Sequence, residues 1–187
     1  MNNDYLDPLL DRARSLEQQV RERLGSMSAG QLNWKPARAQ WSIAQCLEHV
    51  VIANRQYFPI LVQIADGTRK VRRREKVPVL PQIWGSMLVQ GMKGGPARKI
   101  KTSEELEPSD MQIPPSIVGI FCDNLGVFTD LVNKTRNVDH RHTIVTSPAS
   151  GLVTYSLHDC CTMLVYHSER HCRQALEVAA HPEFPAQ

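Results

Sequence analysis

The sequence predicts an all-α protein, a four-helix bundle with a long crossover between its second and third helices. Three observations lead there. Four segments of three to six turns carry apolar residues at spacings of three and four. No segment shows the strict alternation of a half-buried strand. The 187 residues, 42% apolar and 22% charged, suffice to bury a core in one domain without staples.

The first helix is expected from about Asp4 to Leu24, with Leu6, Leu9, Leu10, Ala13, Leu16, Val20 and Leu24 on one face. Asn3 or Asp4 would cap it and Gly25 would end it. Residues 25–41 read as a loop. The second helix starts at Ser42, a good N-cap, and runs through Ile43, Leu47, Val50, Tyr57, Leu61 and Ala65 to an Asp66-Gly67 stop. Pro59 inside it should produce a kink. The third follows Pro114-Pro115-Ser116 and uses Ile117, Phe121, Leu125, Phe128 and Val132. The fourth begins at Ser156, carries Leu157, Cys160, Leu164, Cys172 and Ala179, and is closed by Pro182. Residues 138–155 read as a loop before it.

Residues 67–113 form the crossover, punctuated by Pro78, Pro81, Gly94-Gly95-Pro96 and Pro108, with a short helix expected around Gln82–Gln90. So long a link favours middle helices that run parallel over a simple up-down-up-down order. The whole chain, 1–187, is expected to be a single domain with 67–113 as an insertion.

The formal net charge of +3 conceals an asymmetry. Residues 69–101 hold ten Lys and Arg against one acid, Glu75, for a net +9, leaving −6 on the rest. A block of this kind is a solvated loop or a site for an anionic partner, with Arg72, Arg73 and Arg74 as the candidate anion-binding residues. It lacks interleaved aromatics and any nucleic-acid module, which argues against nucleic acid. No run approaches the roughly 18 apolar residues of a membrane span, so no membrane association is expected. The start of the chain lacks the basic-then-apolar pattern of a signal peptide. Five cysteines, an odd number without a CxxC pair, fit a reducing cytoplasm.

The chemistry centres on histidine. His167 and His171 are spaced i, i+4, so both rings leave one face of the fourth helix about one turn apart and could chelate one metal. Both fall on the apolar side of that helix, where a neutral imidazole needs a partner. Two readings are open on the residues alone: core histidines hydrogen-bonded to neighbouring helices, or two metal ligands. A third ligand would come from another helix. His49 flanks the apolar arc of the second helix and is the best candidate. His140 and His142 lie in a polar loop, His158 opens a helix and His181 precedes a proline, so those four are expected at the surface.

Glu17, Asn54 and Asn124 are polar groups intruding on apolar arcs; they either line a pocket or orient a ligand, or hydrogen-bond between helices, with Glu17 snorkelling at an edge. Glu169, between the two histidines, points away from their face and is not a general base on that ground. The cysteines read as small buried hydrophobes. Trp34 and Trp41 are expected to pack the preceding loop over the helix end beside His49. Trp84 would cap a pocket or join the core.

Trp34-Lys35-Pro36 followed by Trp41-Ser42-Ile43-Ala44-Gln45-Cys46-Leu47-Glu48-His49 resembles the start of the second helix in the DinB/YfiT-like superfamily. Tyr155-Ser156-Leu157-His158-Asp159 through His167-Ser168-Glu169-Arg170-His171-Cys172-Arg173-Gln174 resembles that family's C-terminal metal helix. The resemblance extends loosely from about residue 5 to 180; the crossover matches no motif. It implies a bundle holding one divalent metal, zinc, nickel or iron, through His49, His167 and His171, with a coordination position left for water or substrate. It also implies a small-molecule substrate, a homodimer, and either S-transferase-like chemistry with a low-molecular-weight thiol or hydrolase-like chemistry. The competing expectation is a non-catalytic metal-binding or stress-associated protein whose basic crossover holds an anionic partner.

Overall fold

The computed structural model describes residues 3–71, 75, 89–91 and 104–186. Arg72, Arg73, Arg74, Trp84, the Gly94-Gly95-Pro96 turn and most of the basic block lie outside the described residues. Of the short helix expected around Gln82–Gln90, only its end is described, and residues 89–91 are helical.

The protein is mostly helical. Four long helices, α1 (Leu6–Leu24), α3 (Ile43–Ala65), α4 (Ile117–Lys134) and α5 (Leu157–Ala179), account for its bulk, with a five-residue α2 (Ala29–Asn33) between the first two. A 3-10 turn spans Glu104–Leu106. Among the described residues, no helix is long and apolar enough to cross a membrane.

α1 and α3 each pack against both α4 and α5. The core forms two clusters along the helices. One joins Leu16–Leu24 of α1, Ile43–Val51 of α3, Ile117–Leu125 of α4 and Cys172–Val178 of α5. The other joins Leu6–Ala13, Tyr57–Ile64, Phe128–Val132 and Leu157–Val165. α3 and α4 therefore start at the same end and run the same way, while α1 and α5 run opposite to them.

Local chemistry explains most boundaries. Ser42 caps α3 through a capping box, its hydroxyl accepting from Gln45 N while the Gln45 amide accepts from Ser42 N. Ser28 and Gln31 do the same for α2. Ser156 caps α5, accepting from Asp159 N. α3 stops where Gly67 takes φ +67°. Past it, the Thr68 and Arg69 N–H groups both return to Gln63 O.

Three expectations are corrected. Asn3 does not cap α1. Its amide donates instead to the carbonyls of Arg136 and Val138, pinning the chain start to the loop after α4. α3 runs continuously through Pro59, which lies on its exposed side. The loop 25–41 contains α2, whose five residues are too short to show periodicity. Two three-residue strands, β1 (Ile144–Thr146) and β2 (Thr154–Ser156), pair antiparallel with Val145 opposite Tyr155. Three residues cannot display an alternating pattern, although Ile-Val-Thr and Thr-Tyr-Ser are good strand formers.

This hairpin anchors the outgoing crossover. Arg69 donates to the Ile144 carbonyl and to Glu75 Oε1, and Thr146 Oγ1 donates to the same carboxylate oxygen at 2.7 Å.

Candidate metal centre

His49 sits in the second turn of α3, near the end where α5 finishes, and α5 brings His167 and His171 to it from the opposite direction. The Nε2 atoms of His49 and His167 are 3.1 Å apart. The ring centroids of the three histidines lie 4.5 to 5.0 Å from one another. One nitrogen from each ring lies within 4.8 Å of the others, and among the described residues no second group of three His, Cys, Asp or Glu side chains is so placed. His49 is buried; His167 and His171 are half-buried.

The surrounding bonds fix which nitrogens are free. A carbonyl oxygen can only accept, so His49 Nδ1, 2.7 Å from Leu106 O, carries the hydrogen. Its Nε2 is then a lone pair in the neutral ring. His171 Nδ1 donates to Gln174 Oε1 at 3.2 Å, which frees the Nε2 lone pair of that ring as well. His167 Nδ1 is enclosed and lacks a hydrogen-bond partner. Two Nε2 atoms at 3.1 Å, one of them a lone pair, need a proton or a cation between them.

Electrostatics keeps the rings neutral. Burial pushes the pKa of His49 down, against the opposing pull of the Leu106 carbonyl. Burial, His49 and the Arg170 cation push His171 down to about 3. His167 is held well below its ordinary value by burial first and by its two neighbours next. Neutral imidazole is the form that ligates metal. The donor set and its orienting acceptors therefore fit a divalent ion held by three histidines, as zinc, nickel or iron would accept.

Trp41 covers the cluster, its ring 4.8 Å from His49 and 5.6 Å from His171. Trp34 does not join it. It packs instead on His181 and Phe184 of the C-terminal tail.

The other candidates separate cleanly. Asn54 Nδ2 donates to Asn124 Oδ1 at 2.9 Å in a buried bond across α3 and α4, so the two hold each other and not a histidine. Glu17 pairs with Arg21 one turn on along α1. Glu169 turns away as expected and takes a bidentate bond from Arg12. All five cysteines are buried and free. Burial pushes Cys46 and Cys161 up to about 12, which leaves them as thiols.

His140 is the clear correction among the histidines. Expected at the surface, it is fully buried. Its Nε2–H donates to Thr135 O at 2.9 Å and its Nδ1 accepts from Tyr5 OH at 2.6 Å. His142 is exposed as expected, while His158 and His181 are half-buried.

Two orienting groups escaped the sequence. Gln174 was visible in principle, standing one turn beyond His171 on the same helix. The Leu106 carbonyl left no signal, since any residue supplies one.

A family model described as the DinB superfamily matches residues 10–175. Comparison with curated proteins and with solved structures gives no match.

Proposed function

The chain belongs to the DinB superfamily, and on that footing we propose that it is a divalent-metal-dependent enzyme built on a four-helix bundle. His49, His167 and His171 are its metal ligands. The observation that carries this is the convergence of three neutral imidazoles from two antiparallel helices, with two Nε2 atoms 3.1 Å apart. A bound divalent ion would supply Lewis acidity, favouring the ionised form of a thiol or water brought to the remaining coordination position.

The chain's own residues do the positioning. Leu106 O and Gln174 Oε1 hold two rings with their Nε2 lone pairs inward. Trp41 shields one side of the cluster from water, which strengthens polar interactions inside it. The partial exposure of His167 and His171 supports an approach for a small substrate. A thiol, with an ordinary pKa of about 8.5, gives up its proton far more readily than water, which favours S-transferase-like chemistry with a low-molecular-weight thiol as nucleophile over hydrolase-like chemistry.

The test begins with metal content. The purified or reconstituted chain should bind one Zn2+, Ni2+ or Fe2+, and His167→Ala or His171→Ala should lower the affinity at least about 100-fold. A chain that takes up no metal under any of these conditions overturns the proposal. Loaded protein should then accelerate consumption of a low-molecular-weight thiol by an electrophile more than hydrolysis of an activated ester; the reverse preference would favour the hydrolase-like chemistry.

A further inference from the structure

Resting on the metal reading above, we infer that Glu48 is a positioning residue for the centre. Acting through Ser109 and the Leu106 carbonyl, it sets the ring of His49, so that metal binding and the seating of segment 106–113 are coupled.

Segment 106–113 is the returning limb of the crossover, laid along the start of α3 before α4 begins. Its middle is held on both sides of one residue. Ser109 N donates to Glu48 Oε2 at 2.6 Å, a short bond to a carboxylate oxygen. Ser109 O accepts from Gln45 Nε2 at 2.9 Å. The same Gln45 amide closes the capping box at Ser42 with its oxygen, so this buried side chain fastens the limb and starts the helix at once. Three residues before Ser109, Leu106 O takes the Nδ1 hydrogen of His49. Pro108, buried between the two, has a fixed φ and limits how far Leu106 can drift once Ser109 is pinned. At the far end, the Asn33 amide gives one bond to Ile113 O and takes one from Ile113 N, at 2.8 and 2.9 Å.

The consequence follows from what the Leu106 carbonyl does. It selects the His49 tautomer and the ring plane, and a ligand ring held that way binds metal more tightly. A backbone carbonyl has no side chain to carry that task, so the task passes to whatever seats the backbone. Glu48 is adjacent to the ligand in sequence, yet it reaches the ligand's ring only by way of the limb. Coupling of this kind is reciprocal: metal on His49 must tighten the limb by the same free energy with which the limb favours metal.

The test uses the full chain, with Zn2+ affinity measured by chelator competition, Co2+ absorption as a report on ligand geometry, and amide exchange across 106–113 with and without Zn2+. Glu48→Ala should weaken Zn2+ by about tenfold, shift the Co2+ spectrum and abolish the Zn2+-dependent slowing of exchange at Ser109. Glu48→Gln, which keeps an acceptor oxygen, should recover most of the loss. Asn33→Ala should speed exchange at Ile113 and leave affinity within about twofold, because it frees the far end only. A folded Glu48→Ala protein with wild-type affinity and an unchanged Co2+ spectrum overturns the inference while leaving the metal reading intact. Should Glu48→Ala fail to fold, the wild type decides: exchange at Ser109 that ignores Zn2+ overturns it. A wild type that binds none of Zn2+, Ni2+ or Fe2+ overturns both.

Discussion

His140, fully buried in the loop after α4, and His167, half-buried on α5, are provided for by the fold in opposite ways. His140 has both ring nitrogens satisfied by protein groups, Tyr5 OH on one side and Thr135 on the other. His167 has one nitrogen without a partner and the other facing a second imidazole. A buried polar group left in that condition costs stability, whereas a satisfied one costs little. The fold thus satisfies His140 from within, while at His167 one ring nitrogen meets His49 and the other has no hydrogen-bond partner among the described residues.

The contrast can be broken most forcefully by deleting each ring. His140→Ala removes the acceptor of the Tyr5 hydroxyl and opens a hole in a fully buried position, so it should cost about 2–4 kcal/mol in urea unfolding and leave metal stoichiometry unchanged. His167→Leu in metal-free protein should be neutral or stabilising by up to about 1 kcal/mol, while metal binding disappears. Equal destabilisation by the two would mean that His167 is as structural as His140.

The buried amide pair sharpens the same point one step down. Asn124→Leu alone should cost about 1–3 kcal/mol by leaving Asn54 unsatisfied. Changing both to Leu should recover most of that, because no polar group then remains to be orphaned. A double-mutant cycle measures the difference. Additive costs would mean that the two amides do not depend on each other.

The smallest effect is one of pH. Burial holds the His140 pKa below its ordinary value, against the Thr135 carbonyl, with the neighbouring His158 adding to the depression and Asp139 opposing it. The unfolded chain therefore takes up that proton first as pH falls. The stability His140 contributes is complete above about 6.5 and is lost as pH drops towards the folded value. The stability gap between wild type and His140→Gln should shrink between about pH 7.5 and pH 5; a constant gap would show that His140 does not titrate differently in the two states.

Much of this was legible in the residues. The i, i+4 spacing put His167 and His171 on one face without any knowledge of the fold, and the capping serines set the starts of α3 and α5. His49 was harder. Helical periodicity placed it at the edge of its apolar arc, and it is buried because Leu106 and Trp41 cover that edge from elsewhere in the chain. His140 was hidden for the same reason in stronger form. Its neighbours in sequence are polar, and its burial depends on Tyr5, 135 residues away. At Glu17 the sequence left a pocket group and an edge charge both open, and the ion pair with Arg21 one turn later accords with the edge charge. Periodicity reports a helix's own face. It cannot report what a loop lays across it.

The two nitrogens that meet at 3.1 Å belong to residues 118 positions apart in the chain. At about 5–20 residues per second, ribosomal synthesis separates them by roughly 6–24 s. Throughout that interval α3 presents His49 with neither of its companions made. The centre therefore has no nascent form, and an ion that needs all three rings can be captured only once α5 has been translated and folded back against α3.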